Sequence, residues 1–308
     1  MAAGTSVKVA VVGAGSIGQR HQQILKQLNS EVFSISANSP SADFKFLDEA
    51  LQKQTFDYVV IASQTSQHFS DITCLLENKF SGRVLIEKPL FDKNQKLGQS
   101  SFQFSAVGYN LRFHPAFIWL KSNLEKLGTI TSANLYVGQY LPTWRPAIAY
   151  QNSSSAKLSS GGGVLRDLSH ELDMVQNLFG DWRRLVAMGG KFSDLEIETE
   201  DTCSVMMEND CCIATTVSLN YLDQIKQRSI TINGDSGTIS VDFISGIGKL
   251  NNTEKTFTTS PDATYLAQHR AVMNSDATDT CSLSDGLKVV QMIDAMESSI
   301  AHKKWVLK

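Results

Sequence analysis

The chain has 308 residues, with 28 lysines and arginines against 31 aspartates and glutamates, for a formal net charge of −3. This length allows two domains of ordinary size, and the weak negative charge argues against nucleic acid or an anionic membrane surface as a partner. No segment resembles a membrane span or a signal peptide, and the five cysteines show neither CxxC pairs nor metal-ligand spacing. We therefore expect a cytoplasmic protein with reduced thiols and no metal.

The first predicted element is a β-branched strand that leads into regularly spaced glycines. Residues 8–18 read KVAVVGAGSIG, which gives the pattern Gly13-x-Gly15-x-x-Gly18. Gly13 suits the tight turn, Gly15 lets backbone N–H groups approach phosphates, and Gly18 lets the following helix pack on the strand. The pattern predicts a dinucleotide site at the positive end of a helix, the alternative being a turn without a ligand. The predicted contacts are Gly13, Gly15, Ser16, Ile17 and Gly18.

Strands and helices alternate through the next hundred residues. Strands are predicted at residues 31–36, 56–63, 83–86 and 105–109, and helices near 67–77 and 93–100. This alternation predicts parallel strands joined by right-handed crossovers, hence a doubly wound parallel sheet. Such a sheet binds ligands at the carboxyl ends of its strands.

Beyond residue 111 the pattern changes to successive strands. A helix at 114–127 precedes strand-like runs at 129–139, 184–190, 202–208, 212–219, 228–232 and 237–243, and a helix at 284–301 follows. Tight turns between these runs predict a largely antiparallel sheet. The serine-rich residues 152–160 are interpreted as a mobile loop over a site.

The second predicted strand ends without the acidic residue that usually binds the ribose 2′-OH of NAD. Its last residues are Ser36-Ala37-Asn38-Ser39. Their hydroxyl and amide groups suit a 2′-phosphate, although no arginine accompanies them. The sequence therefore leans to NADP as the cofactor, with NAD as the alternative and Ser36 as the predicted contact.

The loops after two buried strands carry the next candidates. They are Ser63, Thr65 and His68 in one loop, and Glu87, Lys88 and Pro89 in the next. The pair Glu87-Lys88 places two charges at a strand's carboxyl end, and Pro89 favours an extended backbone at Lys88. For His68 the alternative is a capping or surface histidine, and for Lys88 it is a solvated lysine beside a turn.

Together these segments resemble the Gfo/Idh/MocA family of sugar and cyclitol oxidoreductases. The resemblance continues through residues 108–115 (GYNLRFHP), 138–142 (GQYLP), 144–146 (WRP), 161–165 (GGGVL) and Asp181 after Leu-Phe-Gly. It implies a Rossmann dinucleotide-binding domain at residues 1–112 and a substrate-binding and oligomerisation α/β domain with an open sheet at 113–308. It also implies that Lys88 lies beside the nicotinamide and the reacting oxygen, and that the chain forms a homo-oligomer, a dimer or tetramer. Glu87, Lys88 and Asn110 join the predicted cofactor contacts.

Residues 167–170 (DLSH) resemble the active-site helix of that family. Asp167 and His170 are three apart, so an acid and an imidazole would share one helical face. The common family pattern separates them by four, and the chain looks like a shorter variant in which His170 acts with or without Asp167. The alternative is structural, with Asp167 capping the helix and His170 bonded to Asp173 or to the backbone.

Hydride transfer gives these residues their predicted roles. A sugar carbon exchanges hydride with nicotinamide C4 while its oxygen loses or gains a proton, so a base that titrates near neutrality suits the task. The predicted catalytic residues are Lys88, His170 and Asp167. Arginine forks suit a carboxylate or phosphate, and an indole suits a sugar ring face, although Trp144 has ordinary packing as its alternative. The predicted substrate contacts are Lys88, Arg112, Trp144, Arg145 and His170.

The sequence thus predicts an NAD(P)-dependent oxidoreductase acting on a secondary alcohol or ketone of a sugar. Nucleotide-linked or acidic sugars of surface-glycan synthesis are the favoured substrates. Two alternatives stay open. One is a redox-neutral cycle in which NAD(P) oxidises a carbon, elimination or hydrolysis follows, and the cofactor is regenerated. The other is a nucleotide-sensing protein that keeps the fold without catalysis.

Overall fold

The computed structural model describes residues 6–145 and 148–308; Pro146 and Ala147, which belong to the predicted loop after Trp144, lie outside the described residues. The strands are β1 Lys8–Val12, β2 Glu31–Ile35, β3 Tyr58–Ile61, β4 Arg83–Ile86, β5 Phe104–Val107, β6 Ile130–Gly138, β7 Trp182–Gly190, β8 Thr202–Asn209, β9 Ala214–Asn220, β10 Gln227–Gly234, β11 Gly237–Asp242, β12 Ile247–Leu250, β13 Thr253–Thr256 and β14 Val306–Leu307. The helices are α1 Ser16–Gln27, α2 Leu47–Lys53, α3 His68–Glu77, α4 Pro115–Ser122, α5 Val164–Asp167, α6 His170–Phe179, α7 Ala263–Met273 and α8 Leu283–His302.

The chain divides into two compact units. The first unit runs to Phe113 and also contains Pro261–Gly286, and the second contains His114–Ser260 and Leu287–Lys308. The domain prediction divided the chain once, after residue 112, and so assigned residues 261–286 to the other domain. Those residues include α7, whose Val272 is fully buried with Val9 and Leu85 in the core of the first unit. A contact between segments so distant in sequence leaves no local pattern.

The first unit is built on a parallel sheet of strand order β2-β1-β3-β4-β5. The residues of β1 and β3 are almost entirely buried because helices cover both faces, which explains their continuous apolar character. The order reverses between β1 and β3, which makes their carboxyl ends the topological switch point where such sheets bind ligands. The predicted doubly wound parallel sheet is confirmed.

One helix predicted in this unit is absent. Residues 93–100 (KNQKLGQS) form no regular structure, so the predicted helix there is wrong. Leu97 is the single apolar residue of this stretch, and Gly98 further weakens a helix. Without an apolar face to bury, the segment lacks the packing on which most helices in proteins depend.

The second unit is built on a sheet of strand order β13-β12-β11-β10-β6-β9-β8-β7-β14. All neighbouring pairs are antiparallel except β6 and β9, which confirms the predicted largely antiparallel sheet. Side chains alternate along each strand: in β8, Cys203, Val205 and Met207 are buried and Ser204 and Met206 are exposed.

Helices of the second unit contribute the apolar side chains that this sheet buries. Leu172, Val175 and Phe179 of α6 are buried at helical spacing. The helix predicted at 114–127 is shorter than expected, because α4 ends at Ser122 and a separate 3₁₀ turn follows at Leu124–Leu127. The Asn123 side chain donates to the Trp119 carbonyl oxygen at 2.7 Å, a local bond that competes with helix continuation.

Within the described ranges, every helix is too short or too polar to cross a membrane. Over the same residues, His, Cys, Asp and Glu side chains form no group of three that would hold a metal ion.

Candidate cofactor and substrate sites

The glycine loop lies at the switch point of the first unit's sheet. Gly13 has a φ of +107°, and a Cβ there would collide with the Ala62 carbonyl oxygen at the end of β3. A Cβ at Gly18 would collide with the Gly13 carbonyl oxygen, so α1 packs directly on the turn. Both glycines are therefore required by packing of the chain on itself, as the sequence predicted.

Gly15 differs from its two neighbours. Its φ is −69°, and a Cβ there would meet no atom within 4 Å. Gly15 and Ser16 are exposed at the N-terminus of α1, and the first turn of that helix carries no acidic residue. The first N–H groups of a helix attract anions, and a residue without a Cβ lets a phosphate approach them closely, so Gly15, Ser16 and Ile17 stay the predicted backbone donors to a pyrophosphate.

The loop after β2 is closed by its own polar groups. The Asn38 backbone N–H donates to Ser36 Oγ at 3.3 Å, and both the backbone and hydroxyl of Ser34 donate to Asp43 at 2.7 Å. Although partial burial opposes it, the bonds from Ser34 hold the pKa of Asp43 below its ordinary value. Ser36, the predicted ribose contact, directly follows β2, and its hydroxyl oxygen accepts the hydrogen bond from Asn38.

The loop after β3 is fixed by Ser63 and His68. The Ser63 hydroxyl donates to Asp71 at 2.6 Å. The His68 side chain is 1% exposed, and its ring nitrogens lie 3.1 Å from the Pro89 carbonyl oxygen and 3.2 Å from that of Ser63. Burial lowers the pKa of His68, which favours a neutral ring. His68 thus lies buried between the loops after β3 and β4, and its neutral ring donates to a carbonyl oxygen of one of them, whereas Thr65 is partly exposed in a 3₁₀ turn.

Glu87 and Lys88 follow β4 at the same edge of the sheet. The Glu87 carboxylate is buried, and its Oε2 accepts the Lys88 backbone N–H at 3.1 Å. Gly108, at the end of β5, leaves room for it, because a Cβ there would lie 2.9 Å from Glu87 Oε1. The peptide bond between Lys88 and Pro89 is cis, and Lys88 is partly exposed.

Two predicted site residues after β5 form hydrogen bonds within the first unit. The Asn110 amide donates to Thr264 Oγ1 at 2.7 Å. Arg112 is 4% exposed, donates to the Thr280 carbonyl oxygen at 3.0 Å and lies 3.9 Å from Asp285. These contacts attach the end of this segment to residues 264–285, and the expected role of Arg112 as a substrate fork stays a prediction.

The predicted helix that carries Asp167 and His170 is interrupted between them. Asp167 ends α5 and His170 begins α6, with Leu168 and Ser169 forming a turn. Asp167 accepts a hydrogen bond from the Tyr221 hydroxyl at 2.7 Å. The shared face that a continuous helix predicts is replaced by two side chains on separate helices, of which His170 is 9% exposed.

Tyr221 links Asp167 to Trp144 in the second unit. The Trp144 ring meets the Tyr221 ring edge to face at 5.2 Å between centroids, and Trp144 Nε1 donates to the Gln139 carbonyl oxygen at 3.2 Å. Burial and the Asp167 carboxylate raise the pKa of Tyr221 well above its ordinary value, so the hydroxyl remains a donor. Trp144 and the exposed Arg145 line a small recess with Leu141, Ile148, Tyr150, Ser153 and Ser155.

Sequence reasoning missed Tyr221 and a second buried contact in this unit. Glu171, next to His170, is 1% exposed and lies 2.8 Å from Arg228 Nε of β10. Both pairs join residues more than 50 positions apart. A Tyr or Arg inside a strand pattern gives no indication of such a partner.

These features define a dinucleotide-binding α/β protein of the oxidoreductase class. Residues 7–100 match the model of the oxidoreductase family with an NAD-binding Rossmann fold, and residues 123–240 match the Gfo/Idh/MocA C-terminal domain. The chain belongs to the Gfo/Idh/MocA oxidoreductase family.

Individual relatives are distant in sequence and close in fold. The inositol 2-dehydrogenase of Acidothermus cellulolyticus is 24% identical over 271 residues, which cover 78% of this chain and 74% of the relative. A levoglucosan dehydrogenase in complex with NADH has a TM-score of 0.85 at 16% identity, covering 98% of this chain and 99% of the other. The WlbA dehydrogenase of Bordetella pertussis, in complex with NADH and UDP-GlcNAcA, has a TM-score of 0.80 at 18% identity and covers 99% of both chains.

Proposed function

We propose that this protein is an NAD(P)-dependent dehydrogenase acting on a secondary alcohol or ketone of a sugar. The observation that carries the proposal is the placement of Gly15, whose Cβ would meet no atom within 4 Å, at the switch point of the sheet, with Lys88 after β4 at the same edge. Membership of a family with an NAD-binding Rossmann domain supports it. Bound nicotinamide supplies the hydride acceptor or donor.

The proposed catalytic residues each have a defined task. Lys88, partly exposed and fixed through its backbone by Glu87, exchanges a proton with the reacting oxygen or holds it by charge. His170 is the proposed proton-transfer partner at the start of α6. Asp167, which accepts from Tyr221, orients the turn before His170.

Nucleotide-linked or acidic sugars are the proposed substrate class. Arg145 supplies an exposed cation and Trp144 an aromatic face in the recess of the second unit. A guanidinium suits carboxylate or phosphate, and an indole suits a ring face. The UDP-GlcNAcA complex of the Bordetella pertussis dehydrogenase supports this choice. We propose a cytoplasmic role in surface-glycan synthesis.

The cofactor preference rests on the loop after β2. The chain has no acidic residue from Ser36 to Ala42, which fits the proposed preference for NADP; the NADH-bound structures of relatives support NAD. Substitution Ala37→Asp introduces a charge that repels a 2′-phosphate. Calorimetry with both cofactors on both proteins tests the choice, and a strong NAD preference in the wild type would reject the NADP proposal.

A homo-oligomer, a dimer or tetramer, is proposed through the open sheet of the second unit. Short polar side chains lie on its exposed face, as in Asn134, whose amide donates to Thr216 Oγ1 at 2.7 Å, and in Ser204 and Ser218, whose hydroxyls lie 3.0 Å apart. The same face exposes Met188 of β7 and Met206 of β8. A second copy that covers this surface would bury the two exposed methionines. Light scattering measures the mass in solution, and a monomer at all concentrations would reject the proposal.

Single-turnover absorbance of the nicotinamide tests the reaction class. A dehydrogenase gives a net change in reduced cofactor with a nucleotide sugar or an acidic sugar. Product without net change would favour the redox-neutral cycle, and binding without product would favour a nucleotide sensor.

A further inference from the structure

A buried chain of four polar side chains crosses the first unit. Glu87 Oε1 lies 2.9 Å from His21 Nε2, His21 Nδ1 lies 2.8 Å from His269 Nε2, and His269 Nδ1 lies 2.9 Å from the Tyr58 hydroxyl. His21, His269 and Tyr58 are fully buried, and Glu87 is 7% exposed. The four residues come from α1, α7, β3 and the end of β4.

The ionisation states of these four residues determine which atom donates in each of their hydrogen bonds. Burial acts to raise the pKa of Glu87, but the hydrogen bond that His21 donates and the charge of Lys88 hold it below its ordinary value. Burial raises the pKa of Tyr58 well above its usual range and lowers that of His269 well below its own. An ionised Glu87 accepts only, while Tyr58 keeps its proton.

One arrangement of protons then satisfies every atom. The Tyr58 hydroxyl donates to His269 Nδ1, which leaves the His269 proton on Nε2 to donate to His21 Nδ1. His21 carries its own proton on Nε2 and donates it to Glu87. Each bond therefore holds one proton, and both imidazoles are neutral.

The chain ends on the residue that fixes Lys88. Glu87 Oε2 accepts the Lys88 backbone N–H at 3.1 Å, and the Glu87 backbone N–H donates to the Ile61 carbonyl oxygen at 2.8 Å. Gly108 lies directly against the carboxylate. Without a donor at Oε1, a carboxylate this buried would rise in pKa and take up a proton.

We propose that His21 and His269 are positioning residues for Lys88, acting through Glu87. They hold Glu87 ionised and oriented, so that its other oxygen fixes the backbone of Lys88 and its charge faces the lysine. This inference rests on the proposed function, because it assigns a positioning role to groups behind the proposed catalytic lysine. His269 lies on α7, so the segment 261–286 contributes to that site from the far end of the chain.

The first test observes the proton arrangement in the cofactor-free protein. The sequence has six histidines, which ¹⁵N-histidine labelling and single substitutions assign individually. We expect neutral rings protonated on Nε2 for both His21 and His269 across the neutral pH range. An imidazolium at His21, or a proton on Nδ1 of either ring, would overturn the proposal whether or not the protein is an enzyme.

The second test measures the effect on Lys88. Substitution His269→Phe removes the donor to His21 and should lower kcat about 10–100-fold with unchanged NAD(P) affinity, since small misplacements of catalytic groups cost this much. His269→Gln, which retains a donor and an acceptor, should recover part of the loss. Val272→Ala, on the same helix and equally buried, is the structural control.

The pH profile separates positioning from packing. Around Glu87 the titratable groups are His21 from α1, His68 from α3, Lys88 and Tyr58. In His269→Phe the limb of the kcat profile assigned to Lys88 should shift, whereas Val272→Ala should lower only thermal stability. Equal profiles in both variants would reject the positioning role.

If His269→Phe fails to fold, the same comparison is made with Tyr58→Phe. A wild-type protein without cofactor-linked turnover would reject the proposed function. The NMR measurement would still show whether the four buried side chains have the proposed arrangement of protons.

Discussion

We propose that the missing side chain of Gly15 serves a ligand rather than the fold. Because a Cβ there meets no atom within 4 Å and φ is −69°, Gly15→Val should leave a folded protein, with a loss of about 1 kcal/mol from a poorer N-cap. The valine would occupy the space of the pyrophosphate, so dinucleotide binding should disappear. Calorimetry measures the affinity and circular dichroism the fold. Gly18→Val, which collides with the Gly13 carbonyl oxygen, is the contrasting variant expected to destabilise the protein.

Lys88 should act in the chemical step more than in binding. Loss of proton-transfer help costs about 10²–10⁴-fold in rate, so we expect Lys88→Ala to reduce kcat by this factor while cofactor affinity stays within a few-fold. Lys93→Ala, at an exposed lysine of the same unit, is the control. Wild-type turnover in Lys88→Ala would leave Glu87-Lys88-Pro89 as a structural turn only.

His170 is where the catalytic and structural hypotheses differ most. As the proton-transfer partner, its replacement in His170→Asn should reduce kcat and abolish the acidic limb of the pH–rate profile with the fold retained. His302→Asn, at an exposed histidine of α8, controls for the loss of an imidazole elsewhere. An intact pH profile combined with lower thermal stability would show that His170 only stabilises the start of α6.

At the scale of elements, α7 is attached to the first unit by a buried hydroxyl. The Asn110 amide donates to Thr264 Oγ1 at 2.7 Å, so Thr264→Val should cost about 1–3 kcal/mol by leaving that buried donor unpaired. Thr264→Ser keeps the hydroxyl and should recover most of the loss. Denaturant unfolding measures both, and equal stabilities would show that the bond contributes nothing.

The sequence predicts elements well where one strand or helix carries its own pattern. The run before Gly13 and the alternation in β8 predict their structures because burial follows chain order there. The sequence does not predict elements whose formation depends on tertiary contacts. No pattern marks α7, whose buried residues include polar Gln268 and His269, and the turn between Asp167 and His170 interrupts a stretch that reads as one helix.

The same distinction between local patterns and tertiary contacts applies to the candidate site. The local geometry of the glycine loop and of Glu87-Lys88 could be predicted because it depends on adjacent residues, and their roles stay predictions. The bond from Arg112 to Thr280, 168 positions away, could not be predicted from the sequence around either residue. Tyr221 was overlooked because its partner Asp167 is 54 positions distant.

For the whole molecule, the first unit should not fold from its continuous part alone. A fragment of residues 1–113 lacks α7 and so exposes the surface that buries Val272 and His269. We expect this fragment to unfold without cooperativity, and a synthetic peptide of residues 261–286 to increase its order when added. Hydrogen exchange measures the gain, with a peptide carrying Val272→Asp as control. A cooperative, dinucleotide-binding fragment 1–113 would contradict this expectation.

The discontinuous first unit also sets an order of events during synthesis. About 150 residues of the second unit leave the ribosome between Phe113 and Pro261. At typical translation rates this takes roughly 8–30 s, during which the nascent parallel sheet lacks its last helix. The residues up to Phe113 are therefore translated before the second unit, and their fold is completed after it. A chaperone that shields apolar strands would be needed longest at this segment.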